Sequence, residues 1–197
     1  MSSLLFKPIT LANMQLPNRV VVAPMCQYSA ENGTMNDWHI ANAGSFARSG
    51  AGLVILEASG VEAAGRITLG CAGLYSDENE TAMARVVALC KSVGHSKMGV
   101  QLAHAGRKAS TQRPWEGGLA LTQDAWQTFA PSAIAFDNGW HTPEALNVAG
   151  MARIKGAFVA AAERALRIDM DVIELHAAHG YLLHQFLSPL SNQRDDS

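Results

Sequence analysis

The chain has 197 residues, of which 48% are hydrophobic and 16% are charged, and its formal net charge is −2. This length suits a single domain, and apolar residues spread along the whole chain exclude intrinsic disorder. The near-neutral charge provides no basic surface for nucleic acid or anionic lipid, and no apolar stretch is long enough to span a membrane.

The cysteines and the first residues bear on the cellular setting. Cys26, Cys71 and Cys90 fit neither a zinc motif nor a disulfide framework. The first twenty residues contain no apolar segment of the signal-peptide type. We therefore expect a cytoplasmic protein in a reducing setting, without nucleic-acid or membrane partners.

The sequence predicts a hairpin and four further strands. A small hairpin is predicted near the start, from the segments 6–9 and 14–16. Four short apolar runs then have the composition of parallel strands that are covered on both faces. These runs are Arg19–Ala23, Gly52–Glu57, Gly99–Ala103 and Asp171–His176.

Helical patterns separate the four runs. Helices are predicted over residues 37–48, 77–93 and about 151–167. Asp37 is expected to cap the first helix, and Asp77 and Glu80 have the spacing of a capping box at the second. Gly94 is placed to end the second helix, and Asp169 is the residue expected to adopt a left-handed conformation after the third. Alternation of strands and helices predicts an α/β fold of βαβ units.

Polar residues gather where the four runs end. Because the carboxyl ends of parallel strands share one face, where ligands bind, these side chains are expected to form one site. Taken singly, each has a structural explanation; Cys26, for instance, could be a small buried apolar residue. The long segment 104–142 has few periodic stretches and is expected to form a lid over the site. The residues at the strand ends are Cys26, Gln27, Tyr28, Gly60, Gln101, His104, Lys108, His176, His179 and Tyr181.

A metal-dependent hydrolase is one alternative for this set. His104, His176 and His179 could bind a metal ion, with His176 and His179 three positions apart. No carboxylate accompanies them in a known ligand spacing, and this absence disfavours the alternative.

Five longer motifs resemble the old yellow enzyme family of NAD(P)H:flavin oxidoreductases. Together they span essentially the whole chain, in the order in which the family carries them. Cys26 and Tyr28, which follow Pro24-Met25, are similar to the thermophilic-like branch that includes xenobiotic reductases. The motifs are VVAPMCQY at 21–28, GRIT at 65–68, QLAHAGRK at 101–108, ELHAAHGY at 174–181 and FLSPLSNQR at 186–194.

The resemblance implies a (β/α)8 barrel that holds FMN at the carboxyl ends of its strands. It also implies NADPH or NADH as the hydride donor. Cys26 would lie near the redox-active edge of the flavin, Gly60 beside the ring, and Gln101 at its pyrimidine end. The cofactor-binding residues implied in this way are Ala23, Pro24, Met25, Cys26, Gly60 and Gln101.

The resemblance also implies how a substrate would be bound. His176 and His179 would hold the carbonyl oxygen of an enone or a similar electron-poor alkene. Tyr181 would donate a proton, Tyr28 would contact the substrate, and Lys108 belongs to a motif near the site. The implied catalytic set is therefore Tyr181, His176, His179 and Cys26.

The length of the chain departs from this family pattern. A complete barrel takes about 250 residues, and only four strand signals are present here. We therefore expect residues 1–197 to be the N-terminal half of one FMN-binding barrel domain, truncated before the fifth strand. The full-length protein is expected to be a homo-oligomer. The alternative function is an inactive or partner-requiring fragment that binds FMN weakly or not at all.

Overall fold

The computed structural model describes residues 3–196. No helix in that range is long and apolar enough to cross a lipid bilayer. The strands are β1 Ile9–Leu11, β2 Met14–Leu16, β3 Val21–Val22, β4 Leu53–Gly60, β5 Lys97–Ala103, β6 Phe129–Ala130, β7 Glu144–Ala145 and β8 Val172–Leu175. The helices are α1 Asp37–Ala47, α2 Asp77–Val93, α3 Val148–Arg167 and α4 Leu182–Leu187. Short 3-10 turns cover Leu4–Phe6, Ala63–Gly65, Gly106–Lys108 and Pro114–Glu116.

A four-stranded sheet in the order β3-β4-β5-β8 organises the molecule. All three neighbouring pairs are parallel, and α1, α2 and α3 provide the crossovers between successive strands. This arrangement confirms the predicted α/β fold with four strand-helix units, which correspond to half of a (β/α)8 barrel. The sheet is not closed, because β3 and β8 each pair on one side only within the described residues.

The core lies between this sheet and the three crossover helices. Met98, Val100 and Leu102 of β5 are fully buried, as are Met83 and Cys90 of α2. Buried alanines on α3 let that helix pack closely against the same cluster. The apolar composition of β5 therefore reflects a strand that is covered on both faces, as predicted.

The predicted N-terminal caps of the first two helices were wrong by one residue, whereas Gly94 ends the second helix as predicted. Asn36 and Ser76 cap α1 and α2, whereas Asp37 and Asp77 lie inside the first turn. A capping residue needs extended backbone and a short acceptor side chain, and the preceding Asn or Ser provides both. The two aspartates instead place negative charge at the helix N-terminus, where the helix dipole favours it.

The remaining predictions were largely confirmed. The hairpin forms between β1 and β2, but its first strand begins at Ile9, because residues 4–6 form a 3-10 turn. α3 begins at Val148 after an Asn147 cap, earlier than predicted. Asp169 has the expected left-handed backbone, with φ 61°. The segment 104–142 contains only β6 and two 3-10 turns.

Replacing Gly94 with alanine is expected to destabilise the protein by about 3 kcal/mol, the upper range for overpacking. Gly94 ends α2 with extended backbone, and an added Cβ would lie 2.0 Å from the carbonyl oxygen of Ala47. The loss would appear as a lower urea midpoint of unfolding. The matched control is Gly156→Ala, since Gly156 lies within α3 and an added Cβ meets nothing within 4 Å. That variant should gain about 1 kcal/mol from helix propensity, and an equal effect of both changes would contradict the packing argument.

Candidate active site

Three aromatic side chains cluster directly after β8. The ring centroids of His176 and His179 lie 5.0 Å apart, and those of His176 and Tyr181 also lie 5.0 Å apart. His179 and Gly180 both have left-handed backbone, with φ 56° and 75°. Two such residues in succession turn the chain back sharply, so that both neighbours pack edge-on against His176. The residues that the sequence placed at this strand end are therefore brought together.

The hydrogen bonding of His176 fixes its role as a donor. Its Nδ1 accepts the backbone N–H of Ala178 at 3.4 Å, so the proton of the neutral ring is on Nε2. Burial lowers the pKa of His176, the nearby His179 and Lys108 lower it further, and Glu174 opposes them. The ring is therefore neutral near pH 7, with an N–H to offer.

Tyr181 keeps its proton over the whole physiological pH range. Burial raises the pKa of its phenol to about 12, with smaller contributions from Cys26 and Cys71. The ammonium of Lys108 lies 5.0 Å from the centre of the Tyr181 ring and donates to the carbonyl oxygen of His179 at 3.0 Å. Lys108 thus ties the lid segment to the turn after β8, and Phe136 covers its other side at 4.8 Å.

The loop after β3 brings a thiol and a second phenol to the same region. Burial raises the pKa of Cys26 to about 12, while the nearby Tyr28 side chain acts in the opposite direction. Tyr28 has a left-handed backbone, with φ 52°, held by Arg113, whose Nε donates to the Tyr28 carbonyl at 2.9 Å. Trp115 packs edge-on against the Tyr28 ring at 5.7 Å. The lid segment therefore fixes an uncommon conformation on the opposite side of the site.

Gln101 lies between these groups on β5. It is buried, and its Nε2 donates to Oε1 of Glu174 on the neighbouring strand at 2.6 Å. No hydrogen bond reaches Oε1 of Gln101 from any residue in 3–196, so this oriented oxygen can accept from a ligand. An acceptor amide on β5, together with the thiol and the small residue Ala23 that follow β3, fits a flat ring edged with N–H and carbonyl groups. The open acceptor oxygen of Gln101 therefore fits an N–H group at the edge of a flavin ring.

The other predicted cofactor residues differ in their exposure. Ala23 and Met25 are exposed and Pro24 is half-buried, so this stretch is open to a ligand. Gly60 is buried, and a Cβ there would meet Arg66 Cγ at 3.1 Å. Packing within the chain therefore already explains this glycine, and its role beside a flavin stays a prediction.

His104 does not belong to the cluster. Its Nε2 lies 3.0 Å from Oε1 of Glu62, and its Nδ1 accepts the backbone N–H of Gly106 at 3.0 Å. The other carboxylate oxygen of Glu62, Oε2, forms an ion pair with Arg153. With both nitrogens engaged in the protein, His104 is structural, and the metal-hydrolase alternative loses one of its three ligands.

Sequence reasoning missed the residues that support the site. Glu174 orients Gln101, while Arg113 and Trp115 fix Tyr28. A further buried carboxylate, Glu57, accepts the backbone N–H of Gln27 beside Cys26. The two glutamates interrupt apolar strand runs, and this interruption was the signal that could have identified them.

Parallel strands whose carboxyl ends carry two imidazoles, a phenol and a thiol are typical of an α/β protein that binds a ligand at that edge of its sheet. The chain belongs to the NADH:flavin oxidoreductase / NADH oxidase family, whose model matches residues 4–197. It is 46% identical over 198 residues to an NADPH dehydrogenase of Bacillus subtilis, covering 100% of this chain and 54% of the relative. It is 45% identical over 201 residues to an NADH:flavin oxidoreductase of Gibberella zeae, covering 99% and 48%.

Solved structures agree with this assignment. Morphinone reductase superposes with a TM-score of 0.84 at 30% identity, over 98% of this chain and 52% of that chain. Old Yellow Enzyme from Pichia sp. superposes with a TM-score of 0.85 at 27% identity, over 98% and 50%. The chain thus spans about half the length of the relatives that it matches, and its fold is the corresponding half of their barrel.

Proposed function

We propose that this chain supplies the flavin-facing and substrate-binding half of an NAD(P)H-dependent ene-reductase for enones and similar electron-poor alkenes. The observation that carries the proposal is the cluster after β8, where neutral His176 and protonated Tyr181 lie beside each other. Bound FMN would supply hydride transfer between the nicotinamide and the alkene.

In this proposal His176 and His179 stabilise charge on the substrate. As hydride reaches the β-carbon of an enone, negative charge develops on its carbonyl oxygen. The Nε2–H of neutral His176 is fixed in advance by the Ala178 contact and can donate to that oxygen, with His179 as its partner. Donors that are already oriented stabilise such charge without the cost of reorganisation.

Tyr181 holds the proton that completes the reduction. A phenol with a pKa of about 12 is fully protonated at neutral pH, as a general acid must be. The Lys108 ammonium over the ring favours the phenolate that is left after transfer. Tyr28, in the loop after β3, would contact the substrate as well.

The proposed cofactor contacts come from three strand ends. Ala23, Pro24, Met25 and Cys26 would line the flavin along the loop after β3, and Gly60 would lie beside it. Gln101 would accept from the pyrimidine end through Oε1, the oxygen left open by its bond to Glu174.

The direct test is titration of the purified chain with FMN, followed by visible absorbance and fluorescence. We expect bound flavin with a shifted spectrum, which NADPH bleaches and cyclohexenone restores. Replacing Gln101 with leucine should weaken FMN binding by about 10-fold, the value of one or two lost hydrogen bonds. Absence of any bound flavin at saturating FMN would overturn the proposal for this chain.

We propose a partner-requiring half-barrel as the second candidate, because the open sheet edges favour it. Val21 on β3 is 46% exposed and Leu175 on β8 is 57% exposed, although both lie in apolar strands. Leu187 and Leu190 near α4 are 74% and 80% exposed. Unpaired edges and contiguous apolar surface favour association.

Co-expression distinguishes the two candidates. The partner would be the part of the Bacillus subtilis NADPH dehydrogenase that this chain does not match. If the chain binds FMN only in that complex, the half-barrel candidate is supported. Tight FMN binding by a monodisperse monomer would contradict it.

The cellular setting and assembly remain part of the proposal. Three free cysteines within the described residues support a reducing, cytoplasmic location. A homo-oligomer is proposed for the full-length protein.

A further inference from the structure

One buried histidine–glutamate pair near the site has no part in the proposed chemistry. Nε2 of His39 on α1 lies 3.3 Å from Oε1 of Glu57 on β4, and only 3% of each side chain is exposed. The other carboxylate oxygen, Oε2, accepts the backbone N–H of Gln27 at 3.0 Å. Burying a carboxylate is costly, so both of these contacts are needed to hold it there.

A β-bulge directs this carboxylate toward the loop after β3. The register between β4 and β5 shifts between Leu56 and Ala58, which makes Glu57 the extra residue. A bulge bends its strand and re-aims the side chain, and bulges are frequent beside active sites. Here the re-aimed side chain reaches the backbone next to Cys26.

His39 ties the carboxylate to the start of α1. Its Nδ1 lies 3.1 Å from the backbone N–H of Asn36 and 3.0 Å from Oδ1 of the same residue, while Nε2 points toward Glu57. Nε2 makes no well-aligned hydrogen bond within residues 3–196, so it meets Glu57 through close approach alone. The orientation of the imidazole is therefore set by the helix cap.

We propose that Glu57 is a positioning residue for Cys26. It anchors the loop through the Gln27 amide and brings a carboxyl group to the neighbourhood of the thiol. The consequence is that Cys26 stays an S–H group that can donate a hydrogen bond, rather than a thiolate.

The surroundings of the thiol agree with this role. Burial is the largest cause of the raised pKa of Cys26, and the nearby Cys71 and Glu57 raise it further. The nearby Ala58 backbone and Tyr28 side chain act in the opposite direction. The titratable groups that face Cys26 are Tyr28 on its own loop, Glu57 on β4, Cys71 after the Ala63–Gly65 turn and Tyr181 before α4, with His39 of α1 behind Glu57.

This inference rests on the proposed function only in placing Cys26 beside a flavin. Its test uses the thiol of the chain without flavin, so either proposal can fail while the other holds. The first measurement is the rate at which methyl methanethiosulfonate modifies Cys26, followed from pH 7 to pH 11 by mass spectrometry. Cys26→Ser gives the background from the two buried cysteines.

Glu57→Gln keeps the shape and the acceptor but removes the charge. Its reactivity profile should move to lower pH by ~0.5–1 unit, which is a ~3- to 10-fold faster reaction at a given pH below the pKa. The matched control is Glu62→Gln, because Glu62 also pairs with a histidine, His104, but does not contribute to the pKa of Cys26. An unshifted profile in Glu57→Gln, or an equal shift in the control, overturns the proposal.

The second measurement is hydrogen exchange of the Gln27 amide, which reports the anchoring role. Glu57→Ala should speed exchange by ~10-fold, the loss of a hydrogen bond to a charged group. Glu57→Gln should retain most of the protection, because its amide oxygen still accepts. Unchanged exchange in Glu57→Ala also overturns the proposal, and if that variant does not fold, the profile of Glu57→Gln decides.

Discussion

Replacing Tyr181 with phenylalanine is expected to slow alkene reduction by about 100- to 1,000-fold, the usual contribution of a general acid. Reduction of bound flavin by NADPH should be unaffected, because that step needs no proton from the phenol. The reason is the protonation state of Tyr181: its buried phenol holds a proton at any pH near neutrality, and phenylalanine has none to give. Stopped-flow absorbance separates the two half-reactions in the FMN-loaded chain.

Tyr75→Phe is the matched control for this change. The Tyr75 hydroxyl donates to the backbone carbonyl of Asn32 at 3.0 Å, outside the cluster after β8. The substitution removes the same atom and should leave both half-reactions at their original rates. Equal slowing of both half-reactions in Tyr181→Phe would argue for a general structural effect and against proton donation.

Replacing His176 with alanine is expected to weaken binding of a phenol inhibitor about 10- to 100-fold. The lost interaction is a hydrogen bond to a charged oxygen, which contributes about 1.5–3 kcal/mol. His176 is suited to this role because its neutral ring is oriented by the Ala178 amide, with Nε2–H left to donate. Spectral titration of the FMN-loaded chain with para-hydroxybenzaldehyde measures the affinity.

Two further variants serve as controls for His176→Ala. His176→Asn retains a donor and should recover part of the affinity. His95→Ala removes an exposed imidazole just before β5, at the opposite end of the sheet, and should change nothing. Unchanged affinity in His176→Ala would remove the oxygen-binding role.

The sequence was most informative where one physical requirement dominated. Strands buried on both faces must be apolar throughout, so β4 and β5 were recognisable without any structure. Their order along the chain then predicted that Gln101, His176 and Tyr181 would meet at one end of the sheet. The structure brings His176 and Tyr181 together and places Gln101 on the neighbouring strand against Glu174, whereas the catalytic roles stay predictions.

The supporting residues could not be located in the same way. Glu57 reaches the loop after β3, which carries Cys26, only because β4 bulges at that residue. No periodicity in the sequence encodes a bulge. Arg113 lies 85 positions from Tyr28 along the chain and meets it through the path of the lid segment. The N-terminal caps of α1 and α2 were missed because adjacent residues both had suitable side chains. Only the backbone conformation distinguishes them.

The pairing between β4 and β5 also bears on the order of events during synthesis. These strands share seven register pairs, against two for β3-β4 and four for β5-β8. They are joined by α2 within residues 53–103, so their contacts close a short stretch of chain. The ribosome releases this unit well before residues 176–181. The β4-β5 unit that carries Glu57 and Gln101 can therefore form first. The turn after β8, which carries His176 and His179, then packs against a sheet that already exists.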